Sequence, residues 1–116
     1  MSRTQMLRVS LVLILTALCL IACGNDSAHF TIEGTDNLTF TPDTITVKPG
    51  QSVELILVDK GTLPHTFTVP DLNIEVQMRA GETNTVTFTA PAAGEYRFFS
   101  GVLSDLDTMK GKIIVK

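Results

Sequence analysis

The chain has 116 residues and carries 12 acidic against 9 basic side chains, a formal charge of −3. That length holds one small domain, and the acidic balance argues against a nucleic-acid partner. No glycine-rich phosphate loop is present, nor any grouping of Ser, His and Asp that would suit nucleophilic catalysis, so no enzymatic activity is expected.

The first residues are not read as fold. Arg3 and Arg8 flank the start of an uncharged apolar run from Val9 to Ile21. The run is short for a membrane span of about 20 residues, and residues 1–22 are expected to be a signal peptide. Leu20-Ile21-Ala22-Cys23 resembles the lipobox of bacterial lipoproteins: an aliphatic residue, a tolerant position, a small residue, then the cysteine that is acylated. The resemblance implies a lipid on Cys23 and a domain held at the extracytoplasmic face of the cell membrane or outer membrane. A plain secretory signal that leaves Cys23 unmodified is the alternative. Cys19 is a poorer candidate, because Leu18 would fill the small-residue position.

Cleavage before Cys23 leaves 94 of the 116 residues and, with Arg3 and Arg8 gone, moves the formal charge from −3 to −5. Once Cys23 is acylated no thiol remains. The mature domain can then form neither a disulfide nor a thiolate metal site, and packing alone must hold it. Residues 23–28 read as the lipidated end and a short polar linker. Gly24 to Ala28 reach at most about 17 Å, which keeps the domain near the bilayer.

From His29 onward, short strands alternate with turn signals. His29 to Glu33 alternates apolar and polar. Leu38 and Phe40, then Ile45 and Val47, flank Thr41-Pro42-Asp43, where proline fixes φ and aspartate bonds the backbone beyond. Lys48-Pro49-Gly50 makes a second turn. Val53 to Val58 is rich in apolar residues, as a central strand should be. Thr66 to Val69, Ile74 to Met78 and Thr85 to Thr89 follow, with Ala80-Gly81-Glu82 and Ala90 to Gly94 between the later strands. No stretch after residue 28 keeps a helical period. About eight short strands at this spacing predict an all-β sandwich over residues 29–116.

The last stretch, Gly94 to Lys116, reads as strand, loop, strand. Tyr96, Phe98, Ile113 and Val115 alternate with charged residues. It resembles the ligand-loop hairpin of the cupredoxins, the blue copper proteins. The azurin form, Y-x-F-F-C-x4-H-x3-M-K-G, lies over residues 96–111 without a gap, matching Tyr96, Phe98, Phe99, Met109, Lys110 and Gly111. Phe40 to Gln51 is similar to the family's opening, F-x-P-x-x-I-x-V-x-x-G. Pro64-His65 is similar to the segment bearing its first histidine ligand. Ala80-Gly81-Glu82, Val86, Phe88, Pro91 and Gly94-x-Tyr96 are similar to the approach to the ligand loop. The resemblance implies a Greek-key sandwich of seven or eight strands.

It also implies a copper site that is incomplete. A blue copper centre takes a cysteine thiolate, two imidazoles and a weak axial methionine. Ser100 stands at the cysteine position and Asp105 at the histidine position, and residues 94–116 contain no cysteine or histidine in any register. His65, Asp105 and Met109 remain as metal donors, a mixed set expected to hold copper weakly if at all. Each has a plainer reading too. His65 suits a strand-end histidine bonded to backbone, Met109 a core filler, Asp105 a solvated loop carboxylate, and Ser100 a residue that bonds the loop backbone. Asp59 stands where the family has an asparagine tying the ligand loops together, and it lacks the amide donors for that tie.

The expectation is therefore a lipid-anchored, extracytoplasmic binding module that has lost blue-copper electron transfer, without a tightly held cofactor. Its partners would be the membrane, through the anchor, and a periplasmic or membrane protein. Phe99, Leu103 and Leu106 are the residues expected to form an apolar docking patch. The alternative is a copper protein with an altered site, acting in electron transfer or copper delivery.

Overall fold

Val53, Leu55 and Leu57 recur every second residue, and all three are fully buried on the strand Ser52–Asp59 (β4). The same period of two shapes its neighbours. A computed structural model of the chain describes residues 27–116. The expected signal peptide, Cys23 and the start of the linker lie outside the described residues. The first strand runs Ser27–Gly34 (β1). It starts earlier than the His29 expected from the sequence, because Ser27 and Ala28 already pair with Ser52 and Val53. Then come Phe40–Thr41 (β2), Thr44–Val47 (β3), β4, His65–Val69 (β5), Ile74–Met78 (β6), Thr83–Thr89 (β7), Gly94–Phe99 (β8) and Lys110–Val115 (β9). A single 3-10 turn, Pro70–Leu72, links β5 to β6.

The strands form two sheets, in the orders β2-β1-β4-β7 and β3-β9-β8-β5-β6. β1 lies parallel to β4, and β3 parallel to β9; every other pairing is antiparallel. This is the all-β sandwich expected from the spacing, with the two-residue β2 standing as a ninth strand. Its core holds Ile32, Phe40, Ile45, Leu55, Leu57, Phe67, Phe98, Ile113 and their buried neighbours. Phe40 meets Phe67 and Phe98 edge-on, with ring centroids 5.9 and 5.6 Å apart, and Phe67 and Phe98 lie 4.9 Å apart. Such contacts add about 0.5–1.5 kcal/mol each beyond the area they bury.

Gly111 is fixed by this packing. A Cβ there would run into the carbonyl oxygen of Asp43 and the ring of Phe98. The Asp43 carbonyl cannot move away freely, because it accepts the Lys112 amide at 2.8 Å and so holds β9 to the segment before β3.

Candidate functional site

Following the period of two along each strand leads to one end of the sandwich. On β4, Val53, Leu55 and Leu57 are followed on the same face by Asp59. On β1, Ile32 is followed by Gly34. On β5, Val69 and Phe67 lead back to His65. On β8, Phe98 leads on to Ser100. On β9, Val115 and Ile113 lead back through Gly111 to Met109. On β6, Ile74 and Val76 lead to Met78, which pairs with His65. His65, Met78, Ser100 and Met109 are each at most 1% exposed. Strand alternation alone thus delivers an imidazole, a hydroxyl and two thioethers to one buried end.

The remaining member comes from the loop between β8 and β9. Asp105 was expected as a solvated carboxylate, yet it is only 1% exposed. The loop is folded around it. Its amide donates to the Val102 carbonyl at 2.8 Å, and its own carbonyl accepts the Thr108 and Met109 amides at 3.0 and 2.8 Å. The backbone turn drives the side chain inward. There Asp105 Oδ2 accepts two hydrogen bonds of 2.7 Å, one from His65 Nδ1 and one from Ser100 Oγ. Oδ1 accepts from Ser104 Oγ at 3.1 Å. Burial pushes the Asp105 carboxyl up, but the bonds from His65, Ser100 and Ser104 outweigh it and hold the group below its ordinary value.

The Ser100 hydroxyl bonds the Asp105 side chain of its own loop rather than the loop backbone as expected. Its Oγ accepts the Thr66 amide at 3.0 Å, while Thr66 Oγ1 accepts the Gly101 amide at 2.7 Å. These two bonds tie β5 to the β8–β9 loop. Asp59 plays no part in that tie. Its Oδ1 accepts the Gly61 amide at 3.0 Å, and its Oδ2 is buried without a partner. The neighbouring loop is held by Asp36, whose carboxylate accepts from the Thr62 amide and hydroxyl and from the Leu63 amide.

His65 Nε2 is also buried without a hydrogen-bond partner. A group left in that state costs about 1–3 kcal/mol. Next to it lies a small gap opposite Gly34. A Cβ on Gly34 would sit 3.4 Å from Met109 Cε, 3.5 Å from His65 Cδ2 and 3.6 Å from Met78 Cε, all ordinary contacts. The space is about one methyl group in size. Met78 was not singled out in the sequence. Its signal was its place as the last inward residue of β6, which acquires meaning only once β6 is paired with β5.

Among the described residues, no three His, Cys, Asp or Glu side chains cluster to hold a metal. The expected docking residues sit at the same end but do not form one patch. Leu103 stands 88% exposed, while Leu106 and Phe99 line a groove of about 590 Å³ with Arg97, Lys112, Glu95 and Asp43.

The family model for the cupredoxin-like domain matches residues 8–115. Auracyanin from the photosynthetic bacterium Roseiflexus castenholzii is 21% identical, with a TM-score of 0.69 over 79% of this chain and 99% of its own. Auracyanin A, a blue copper protein of Chloroflexus aurantiacus, is 22% identical, with a TM-score of 0.67 over 78% of this chain and 99% of its own. A copper-binding protein solved in its apo form is 26% identical, with a TM-score of 0.67 over 79% and 90%. No curated protein matches the chain.

Proposed function

The chain belongs to the cupredoxin-like domain family, and from that premise we propose that it is a binding module in which blue-copper electron transfer has been given up. The observation that carries this reading is the double hydrogen bond at Asp105 Oδ2. The positions that resemble the family's cysteine and histidine ligands hold Ser100 and Asp105; Ser100 donates to Asp105 Oδ2, and the same oxygen accepts from His65 Nδ1. A blue copper ion needs a thiolate and two imidazoles. This end of the domain supplies no thiolate and one imidazole, whose Nδ1 is already engaged, so the residues present do not fit that ion.

What is left at this end suits a protein partner. Leu63, Leu103 and Leu106 are the large apolar residues that stand exposed among the described residues, and all three lie in loops around the buried cluster. We place the protein on the extracytoplasmic face of a membrane, held by lipid on Cys23, with a membrane or periplasmic protein as the partner.

Addition of Cu(II) to the purified chain tests the reading. The expected result is no intense visible band. An intense blue absorption would overturn it.

A further inference from the structure

We infer that the outer edge of β7, Thr83–Thr89, is a self-association surface: a second copy of this chain pairs with it antiparallel, about a two-fold axis at Val86, and joins two four-stranded sheets into one of eight strands. This goes beyond docking at the leucine-bearing end and uses none of its residues, so either can fail without the other.

Four observations carry it. The first is the open edge. β7 ends its sheet and pairs with β4 alone. Asp59 N donates to Glu82 O at one end of that ladder, and Ala90 N donates to Gln51 O at the other. In an antiparallel pair every second residue bonds the partner, so Asn84, Val86 and Phe88 turn their backbone groups to β4. Thr83, Thr85, Thr87 and Thr89 turn theirs outward. The second is the lack of protection. Edge strands are blunted by short length, charge or proline. β2 has two residues and runs into Pro42, β3 has four, and β6 has five and carries Glu75. β7 has seven, with no charge, proline or glycine.

The third is incomplete burial. Val86 and Phe88 lie opposite Leu55 and Val53 and pack against the same core. The β4 residues are fully buried, whereas the β7 residues are only partly buried. One more strand at this edge would cover them. The fourth names the occupant. T-N-T-V-T-F-T places threonine identically from either end. Turned antiparallel about Val86, Thr83 meets Thr89 of the second copy, and Thr85 meets Thr87 of the second copy. The outward backbone groups of the two strands then face each other in the phase a ladder needs. Threonine opposite threonine is a favourable cross-strand pair. The strand is neutral in a chain of formal charge −3, so two copies meet there without opposing like charges. Each copy has one such edge, and the contact closes at a dimer.

The contact is small, below about 1,200 Å² in total, and the dimer is accordingly weak. Sedimentation equilibrium of the purified full chain, up to about 1 mM, should show monomer and dimer with no larger species. Thr87→Lys puts a charge on the exposed edge and should weaken the dimer at least about tenfold, even though the added lysine lowers the net negative charge. Oxidation tests the register. Val86→Cys should cross-link to its own copy, because two residues facing each other on the axis without mutual hydrogen bonds sit about 4.5 Å apart at Cα, within disulfide reach. Thr85→Cys should not, since it faces Thr87 of the second copy and lies more than about 7 Å from its own counterpart. A chain that stays monomeric throughout overturns the inference. So does a dimer unchanged in Thr87→Lys, or a Thr85→Cys variant that cross-links as readily as Val86→Cys.

Discussion

Asp105 and His65 are separated by 40 residues in sequence and meet at 2.7 Å with neither side chain exposed. The carboxylate closes the end of the sandwich by accepting from His65 on one sheet strand and from Ser100 at the start of its own loop. Its removal should be felt by both.

Asp105→Ala leaves His65 Nδ1 and the Ser100 hydroxyl buried without their acceptor. A loss of about 3 kcal/mol is expected, read from urea unfolding of the variant against its parent. A loss within error of zero would mean that water replaces the carboxylate and that the end is open.

The same group predicts a pH dependence. The folded-state value of Asp105 lies below its ordinary value of 3.8. A depressed carboxyl stabilises the fold above the unfolded value, and that contribution is lost as pH falls through the folded value. The parent should therefore lose stability below about pH 4. The difference between the parent and Asp105→Asn should be full and level above about pH 5 and shrink with acid. Unfolding midpoints across a pH series measure it; a constant difference would refute it.

Much of this end was legible in the sequence, and the boundary of what was legible is physical. Alternation is local, so the inward places of His65, Ser100 and Met109 follow from Phe67, Phe98 and Ile113 two or four residues away. Asp105 was misread because its burial depends on the turn that binds Val102, Thr108 and Met109 around it, and turn-rich polar loops look solvated in one dimension. Met78 was passed over because its role depends on pairing with His65 across strands. At Asp59 the sequence shows a side chain without amide donors, and its Oδ1 accepts the Gly61 amide. That Thr66 and Ser100 supply the tie instead could be seen only with β5 beside the loop.

Gly111→Ala should destabilise the fold by about 3 kcal/mol through overpacking, since the added methyl meets the Asp43 carbonyl and the Phe98 ring. Gly50→Ala serves as a contrast: nothing surrounds that site, and its cost comes only from a φ of 76°. Thermal unfolding of the two variants, with Gly111→Ala melting at the lower temperature, is the expected order.

The double variant Ser100→Cys, Asp105→His should gain a coloured Cu(II) centre with His65 and Met109. Both substituted side chains already point to the space beside His65 Nδ1, as the 2.7 Å bonds there require. Substituting Asp105 also releases that nitrogen. Visible absorption of the folded double variant decides the matter, and a colourless protein with parental copper affinity would count against the frame.

Cys23→Ala should release the protein from membranes into the soluble fraction. A single acyl chain holds a protein only marginally, so firm retention of the parent would indicate more than one. Fractionation with mass measurement of the N-terminal peptide checks it, and an unmodified Cys23 in the parent is the result against it.

The eight residues of β1 pair with β4 from Ser27 opposite Ser52 to Gly34 opposite Asp59. At about 3.3 Å per residue, the strand puts roughly 23 Å between its first residue and the buried cluster. Ser27 therefore marks the far pole of the sandwich, and the exposed leucines stand at the other. A load applied between those poles would run along the β1–β4 ladder. Its evenly spaced, slanted bonds then bear the load together in shear, where a ladder pulled from the side would open one rung at a time.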